Sequence, residues 1–498
     1  MSDRDLRGWI DQLDSAGELA RVSARVDWRD EVAAITRKTL NGHGPALLFE
    51  KIADYEESWC RRLFVNGLGS ARHVALMFNQ PTNTPRRELV SLFREALNNP
   101  IDPEIVSTGA VKENVRTGSD IDLLDLPVPH WHPLDGGRYV NTWCGVVTQD
   151  PDTGVHNVGT YRGIVLGPDR IGVLMVSSQG WGQHFFKYAS RGEPCPVAVV
   201  YGYDPSLGFC AGTQIPTLLS EYAVMGAIRG QRVPLVKCET SSLTVPANAE
   251  IVVEGIVRFC EDPPEEGPFG EYTGYYSLDV MGRPVIDVKA ITHRDDAIYR
   301  GSLEGAAPHQ PNENSHMYAV TTKALMLEVF EKAGVPGVVD VRPGPVNYVK
   351  IRKQYQGHAK HVANALWGSY AAEWMWKMVV VVDEDIDIYN ERNLQWALCY
   401  RVNPGPDDLV VMPDTRGGTL DPSTPKALRN EMQYGSGRWN RLLMDATRSL
   451  ADATRNPTTG LWEWPIPSTL THEGIMEKVE GRWEEYGINM GLPGNTGH

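Results

Sequence analysis

At 498 residues the chain exceeds one ordinary domain, and its length leads us to expect roughly three. Its 63 Asp and Glu against 48 Lys and Arg give a net charge of −15, which excludes a global basic footprint and makes nucleic acid an unexpected partner. Fourteen Trp and 48 Gly fit a folded, turn-rich enzyme better than a disordered chain. The start "MSDRDLRGWIDQLDSAGELA" is charged and amphipathic, without a signal-peptide core. No apolar run approaches the ~20 residues of a membrane span, so a soluble, cytoplasmic protein is expected. Seven cysteines, Cys60, Cys144, Cys195, Cys210, Cys238, Cys260 and Cys399, form no C-x-x-C pair. That pattern argues for reduced thiols and against a zinc-thiolate site.

Leu6, Ile10, Leu13 and Leu19 recur at helical spacing, and "VSLFREALNNP" reads as a second helix stopped by Asn and Pro. Between them "GPALLFEKI" and "RRLFVNGLG" read as short buried strands, making a small α/β unit that closes near residue 115. The Pro- and Gly-dense "LPVPHWHPLDGGRYV" reads as a boundary and a loop reaching toward a site. Strand-like runs then follow one another: "NTWCGVVTQD", "HNVGTYRGIVLG", "RIGVLMVSS", "PVAVVYG", "RVPLVKCET", "AEIVVEGIVRF" and "PVIDVKAITHR". This texture suggests a barrel or sandwich interrupted by one helix, "PTLLSEYAVMGAIRG". A long amphipathic helix, "NSHMYAVTTKALMLEVFEKAG", leads into a third domain, where a helix is expected over 358–376. There "KMVVVVDEDIDI" and "NERNLQWALCYRV" give βαβ organisation. "RWNRLLMDATRSLADAT" and "TLTHEGIMEKVEGRWEEYG" read as tail helices.

Several residue groups carry chemistry. "EEGPFGEYTGYY" places Glu265, Glu266 and Glu271 around a Gly-Pro-Phe-Gly turn stiff enough to hold two carboxyls at one point. Such crowding raises a carboxyl's pKa, although a solvated acidic turn accounts for the segment alone equally well. In "HNVGTYRG" an ideal strand puts Asn157 and Arg162 on opposite faces, so a bulge at Gly159 is needed for both to meet one ligand. Gln183 and His184 follow a Gly-Trp-Gly turn, and Glu221 falls inside an apolar helix where a carboxylate needs a partner. Asn, His and Glu together suit Mn²⁺ or Mg²⁺ better than structural zinc, though Asn157, His184 and Glu221 match no local metal motif. Asp383, Glu384, Asp385 and Asp387 end a buried strand and raise a second possibility, a magnesium-dependent hydrolase or nucleotide-sugar transferase. No phosphate-binding glycine loop and no G-x-S-x-G elbow accompanies them.

Taken in order, "HNVGTYRG", "QH", "SEYAVMGAIRG", "LVKCETSSLTVPANAEIVVEG" and "EEGPFGEYTGYY" resemble the UbiD family of reversible decarboxylases. The likeness extends to "DLRGWIDQLDSAGELARVSARVD", to "LPVPHWHPLDGGRYV" and to "VDEDIDIYNERNLQWAL". It implies a multidomain α+β and α/β fold: an N-terminal α/β domain (1–115), a central split β-barrel that binds prenylated FMN (116–306), a C-terminal α/β oligomerisation domain (307–450) and a helical tail (451–498). The family's catalytic network falls on Arg162, Glu266 and Glu271, and its metal ligands fall on Asn157, His184 and Glu221. There Mn²⁺ or Mg²⁺ links the cofactor phosphate to protein, with K⁺ nearby. Gln183 and Thr213 are implied cofactor contacts by position. The phosphate lysine of some relatives is offset here to Lys377, with Lys353 and Lys360 as substitutes.

The implied activity is reversible, non-oxidative decarboxylation of an aromatic or heteroaromatic carboxylic acid, releasing CO₂ through a covalent adduct with prenylated FMN, with Glu271 as proton donor. Within "LEGAAPHQPNENSHMYAV", Asn314 and His316 are candidates to meet a ring heteroatom or hydroxyl, or alternatively to cap a helix. A prenyltransferase supplying the cofactor and a homodimer or homohexamer complete the expectation. Two rivals stand beside it: the transferase or hydrolase built on Asp383, Asp385 and Asp387, and a non-catalytic assembly subunit of the same fold.

Overall fold

The computed structural model describes residues 4–216, 219–258, 265–277, 281–282, 284–305, 311–372, 375–429, 435–451, 453–460, 462–464 and 473–488. Cys260 and residues 306–310 of the loop before the long helix lie outside the described residues. The six described cysteines are free, five of them buried and Cys399 exposed. Helix α1 (Leu6–Ser15) buries Leu6, Trp9, Ile10 and Leu13 on one face, and Asp5 starts it by accepting the Gly8 N–H at 2.8 Å. With β1 (Leu19–Val22), α2 (Glu31–Asn41), β2 (Ala46–Phe49), β3 (Arg62–Val65), α3 (Ala71–Met77) and α4 (Arg86–Asn98) it forms the N-terminal α/β unit.

The middle of the chain contributes short β4 (Glu104–Ile105), then β5 (Asn114–Thr117), β6 (Gly145–Gln149), β7 (His156–Gly159), β8 (Gly163–Gly167) and β9 (Arg170–Val173). After α5 (Gly180–Ser190) come β10 (Cys195–Tyr201), α6 (Ser206–Ala211), α7 (Glu221–Arg229), β11 (Pro234–Lys237), β12 (Thr244–Pro246) and β13 (Ile251–Arg258). Two small ladders, β14 (Glu265–Glu266) with β17 (Met281–Gly282) and β15 (Phe269–Gly270) with β16 (Tyr276–Ser277), precede β18 (Val285–His293) and β19 (Ile298–Arg300). The main sheet runs β7-β6-β10-β13-β18-β9-β8 with β5 on β18, and all its ladders are antiparallel. Among the described residues no ladder joins β7 to β8, so the sheet is an open path and not a closed barrel. Those two end strands are consecutive in sequence, and residues 160–162 cross the gap between them. Sheet pairing also runs across the domain limits expected at 115 and 306. β4 joins β11, β5 joins β18, and β19 pairs in parallel with β3 as the fourth strand of the N-terminal sheet.

Helix α8 (Glu313–Lys332) opens on a capping box between Asn312 and Ser315 and leads to β20 (Val338–Arg342) and β21 (Asn347–Ile351). Helix α9 (His358–Trp367), β22 (Met378–Asp383), α10 (Glu391–Tyr400), β23 (Leu409–Gly417) and β24 (Gly437–Ala446) complete a sheet ordered β20-β21-β22-β24-β23. Its centre is parallel and apolar, as "KMVVVV" predicts. Two expectations need correction. The helix expected over 358–376 ends at Trp367, followed by a 3₁₀ turn at Tyr370–Ala372. "RWNRLLMDA" is a central strand, not a tail helix: Trp439, Arg441 and Leu443 are buried alternately, and Leu443 pairs with Val379. Arg441 disguised the alternation, because its buried guanidinium is satisfied by the carbonyls of Ala372, Met375 and Arg416 at 2.6–3.0 Å.

Residues 4–352 and 359–447 belong to one compact unit; residues 353–358 and 448–488, where described, form a second, small one. In the small unit Lys353 Nζ donates to Arg448 O at 2.8 Å and Trp464 Nε1 to Ser449 O at 2.7 Å. Two short strands, β25 (Thr454–Arg455) and β26 (Trp462–Glu463), pair there ahead of helix α11 (Glu473–Glu480), so the expected tail is only partly helical.

Candidate active site

The gap between β7 and β8 is where the carboxylate turn and the Pro-rich loop converge. Backbone of 138–140 runs along the free edge of β8: Val140 N donates to Gly163 O at 2.9 Å and Val165 N to Arg138 O at 2.9 Å. From there the loop clamps the turn, with Asp135 Oδ1 accepting Gly270 N–H at 2.9 Å and Gly136 N–H reaching Pro268 O at 2.8 Å. A Cβ on Gly136 would stand 2.2 Å from Gly267 O, so this close approach requires glycine.

Arg162, Glu266 and Glu271 meet inside this clamp. Arg162 Nη2 donates to Glu266 Oε2 at 2.8 Å, and Nη1 pairs with Glu271 Oε1 and donates to Ser277 Oγ at 2.7 Å. Glu266 takes a further bond from the Tyr139 hydroxyl at 2.9 Å, and the guanidinium lies 5.5 Å from the centre of the Phe269 ring. All three charged residues are buried. Burial works against the Arg162 charge, but Glu266 and Glu271 outweigh it and hold the guanidinium firmly charged. Burial first, and then Glu266, raise the Glu271 carboxyl above its ordinary range, while Arg162 opposes them. The strand bulge expected at Gly159 is absent. Strand β7 simply ends there and the chain turns through 160–162, the Tyr161 ring lying where a Gly159 side chain would stand.

Around β7 the candidate metal ligands gather. A Cβ on Gly180 would lie 2.0 Å from Asn157 Oδ1, which places that oxygen against the first turn of α5, one turn before His184. Asn157 Nδ2 donates to Tyr161 Oη at 3.2 Å, and Tyr161 stacks on Trp181 with ring centroids 4.5 Å apart. His184 Nδ1 shares a 2.9 Å hydrogen bond with Thr148 Oγ1 on β6, directly across from Asn157. From α7, Glu221 Oε2 accepts the Val158 N–H at 3.3 Å, and burial raises this carboxyl to about 7. Among the described residues no group of three or more His, Cys, Asp and Glu forms a metal-binding cluster, so a cation here depends on the Asn157 amide oxygen. An imidazole, an amide oxygen and a carboxylate held, among the described residues, only by backbone N–H groups are a fitting donor set for Mn²⁺ or Mg²⁺. Arg162 Nε is buried without an acceptor among the described residues.

The other predicted residues are dispersed. Gln183 is exposed and donates to Ser178 O at 2.8 Å, and the Thr213 hydroxyl donates to Phe209 O at 2.7 Å. Lys377 is engaged with Asp421 at 2.7 Å and Ser423 at 2.5 Å. Asn314 donates to Glu304 Oε1 at 2.6 Å, whereas His316, two residues further along α8, has its Nε2 buried without a hydrogen-bond partner among the described residues and feels the charges of Arg86, His43 and His73. Burial and those neighbours lower His316 to about 4. The acidic tract is neutralised: Arg401 pairs with Asp383 at 3.2 Å and with Asp385 at 2.6 Å, Arg352 pairs with Glu384 at 2.9 Å, and Asp387 accepts the Tyr389 N–H at 2.9 Å. This removes the basis for a magnesium-dependent transferase or hydrolase. Sequence reasoning missed Tyr139, Ser277, Thr148 and Glu304. Tyr139 lay within the loop read as reaching toward a site and Glu304 lay within the segment that supplied Asn314 and His316 as candidates, whereas Ser277 and Thr148 carried no local signal.

Comparison with known proteins gives the family and the fold. Three domain models of 3-octaprenyl-4-hydroxybenzoate carboxy-lyase match in chain order: the N-terminal domain at 10–93, the Rift-related domain at 104–307 and the C-terminal domain at 315–446. The vanillic acid decarboxylase of Sedimentibacter hydroxybenzoicus in its closed form is 29% identical with a TM-score of 0.85, over 98% of this chain and 100% of that one. The UbiD-class enzyme HmfF of Pelotomaculum thermopropionicum in complex with FMN is 29% identical with a TM-score of 0.76, over 95% of this chain and 98% of that one. Its evolved dimeric form, in complex with prFMN, is 28% identical with a TM-score of 0.74 over the same shares. The family models and the shared fold together thus define a carboxy-lyase. The chain belongs to the UbiD family. No helix among the described residues is long and apolar enough to cross a membrane.

Proposed function

We propose that the chain is a prenylated-FMN-dependent, non-oxidative decarboxylase of an aromatic or heteroaromatic carboxylic acid. The observation that carries the reading is the buried convergence of Glu266 and Glu271 on Arg162. We read the open antiparallel sheet as a split barrel with the cofactor in its gap, and Asn157, His184 and Glu221 as the holders of a Mn²⁺ or Mg²⁺ ion that grips the flavin phosphate. K⁺ nearby, supply of the cofactor by a prenyltransferase and assembly as a homodimer or homohexamer belong to the same reading. Because the Lys377 ammonium is engaged by Asp421, phosphate anchoring is assigned to the divalent ion.

When bound, prenylated FMN supplies an electron sink joined covalently to the carbon that loses CO₂. The chain's own residues supply position and a proton. Both Glu266 oxygens are taken, one by Tyr139 and one by Arg162, so Glu266 is the fixed member of the pair. Glu271 Oε1 faces Arg162, which leaves Oε2 to carry the proton delivered to the carbon. Phe269 and Tyr139, with ring centroids 4.2 Å apart, close the site against water. The test is expression with and without a flavin prenyltransferase, followed by a screen for CO₂ release from vanillic, hydroxybenzoic, furoic and pyrrole carboxylic acids. Release should require the prenyltransferase, and Glu271→Gln should keep the flavin absorbance while losing at least ~10²-fold in turnover. Full turnover in Glu271→Gln would remove Glu271 as the acid.

A further inference from the structure

Each turnover that converts a carboxylate to CO₂ and a C–H bond consumes one proton, so a buried acid must be recharged before the next. Glu271 is 6% exposed and its Oε1 is held by Arg162, so that proton has to arrive through a neighbouring group. The loop after β19 runs past the Glu271 backbone and carries a second carboxyl, Glu304. A Cβ on Gly305 would lie 3.7 Å from Glu271 O, and the His132 imidazole packs against both Gly270 and Gly305 while its Nε2 bonds Glu304 O at 3.0 Å. Glu304 itself is held from every side. Strand β19 anchors its backbone in the N-terminal sheet, and Arg37 donates to Glu304 O at 2.9 Å and Gly305 O at 2.6 Å. Asn314 donates to Oε1 at 2.6 Å and Asn312 to Oε2 at 3.4 Å. As a residue Glu304 is more exposed than Glu271, so it stands nearer to solvent along the chain.

We propose that Glu304 recharges Glu271: its carboxyl proton passes to the Glu271 carboxylate left after the product carbon is protonated, and solvent then reprotonates Glu304. One O–H bond breaks on Glu304 and one forms on Glu271, with no change of oxidation state. The charges around Glu304 fit this role. Burial and neighbouring Glu271 favour its protonated form, with Glu313 adding to them, while Asn314 and Arg37 oppose, and the balance stands at about 8. The inference rests on the decarboxylase reading above; the competing role for Glu304 is as a purely structural acceptor that anchors the start of α8.

The prenylated-FMN holoenzyme and its Glu304→Gln variant distinguish the two, because glutamine is isosteric and still accepts from Asn314. With enzyme in excess over an acid that the wild type turns over, Glu304→Gln should release its first CO₂ at a rate within about threefold of wild type, whereas its steady-state rate should fall ~10- to 100-fold. Formate, a small diffusible acid, should restore much of that rate, and the flavin spectrum should be unchanged. Without substrate, the infrared protonated-carboxyl signal at neutral pH should lose the contribution of one carboxyl in Glu304→Gln relative to wild type, while the Glu271 contribution remains. Wild-type steady-state turnover in the variant, or first and later turnovers falling equally without rescue by formate, would overturn the relay. No CO₂ from any acid in the wild type would instead overturn the decarboxylase reading, and the relay with it.

Discussion

Replacing Arg162 by methionine keeps most of the side-chain volume beside Phe269 and removes the only cation between Glu266 and Glu271 in the described site. One of those carboxylates has no exposed surface and the other is 6% exposed, so neither can turn to water. A unit charge pair at the 2.8 Å separation of Arg162 and Glu266 interacts by roughly 6 kcal/mol at an effective dielectric of about 20. Breaking a buried pair by deleting one partner is measured at about 3–5 kcal/mol, the lower figure reflecting relief by proton uptake. For a domain the size of residues 104–307, that is a drop of roughly 6–20 °C in the Tm of the central domain. The pH dependence has a definite sign. Burial and Glu266 already raise the Glu271 carboxyl, and loss of Arg162 raises it further. A raised folded value favours the fold at acid pH, and that contribution is lost as pH climbs through it. The deficit of Arg162→Met in thermal unfolding, followed by circular dichroism on cofactor-free protein, should therefore be largest near about pH 8 and shrink near about pH 5.5. Arg162→Lys should fall between, since one ammonium cannot serve Glu266, Glu271 and Ser277 together. A Tm within about 2 °C of wild type at both pH values, or a deficit that grows on acidification, would refute the reasoning.

Thr148→Val removes the hydroxyl 2.9 Å from His184 Nδ1 and should weaken Mn²⁺ binding ~10- to 100-fold in an equilibrium titration followed by electron paramagnetic resonance. Unchanged affinity would count against His184 as a ligand. Glu221, raised by burial to about 7, contributes stability at acid pH that is lost as pH rises through that value, where an ionised carboxylate then needs a cation. Mn²⁺ should accordingly raise the Tm of cofactor-free protein more at about pH 8 than at about pH 6, and Glu221→Gln should abolish the difference; equal shifts at both pH values would remove Glu221 from the site.

What could be read from sequence divides along a physical line. Glu266, Glu271 and Arg162 were legible because turn chemistry and a family motif concentrate them in two short segments, and the long helix α8 and apolar β22 declared themselves by period. Residues whose meaning lies in a long-range contact stayed hidden. Tyr139 matters because 138–140 pairs with an edge of β8 left free by the gap, a fact about sheet order that no local pattern encodes. The setting of Glu304 comes from β19, which returns to the N-terminal sheet and leads the chain past the Glu271 backbone, in a segment separated from "EGPFGE" by the whole of β18. Arg441 shows the reverse failure: a buried charge, satisfied by backbone carbonyls, broke the apolar alternation and made a central strand look helical. His316 was paired with Asn314 on proximity in sequence, yet two residues on a helix stand about 200° apart, so one faces Glu304 and the other the N-terminal unit. The acidic tract after β22 failed for the same kind of reason, since Arg401 and Arg352, which neutralise it, come from the end of α10 and the end of β21. In each case the residue type was visible and the partner was not, and the partner decides whether a buried carboxyl serves chemistry or packing.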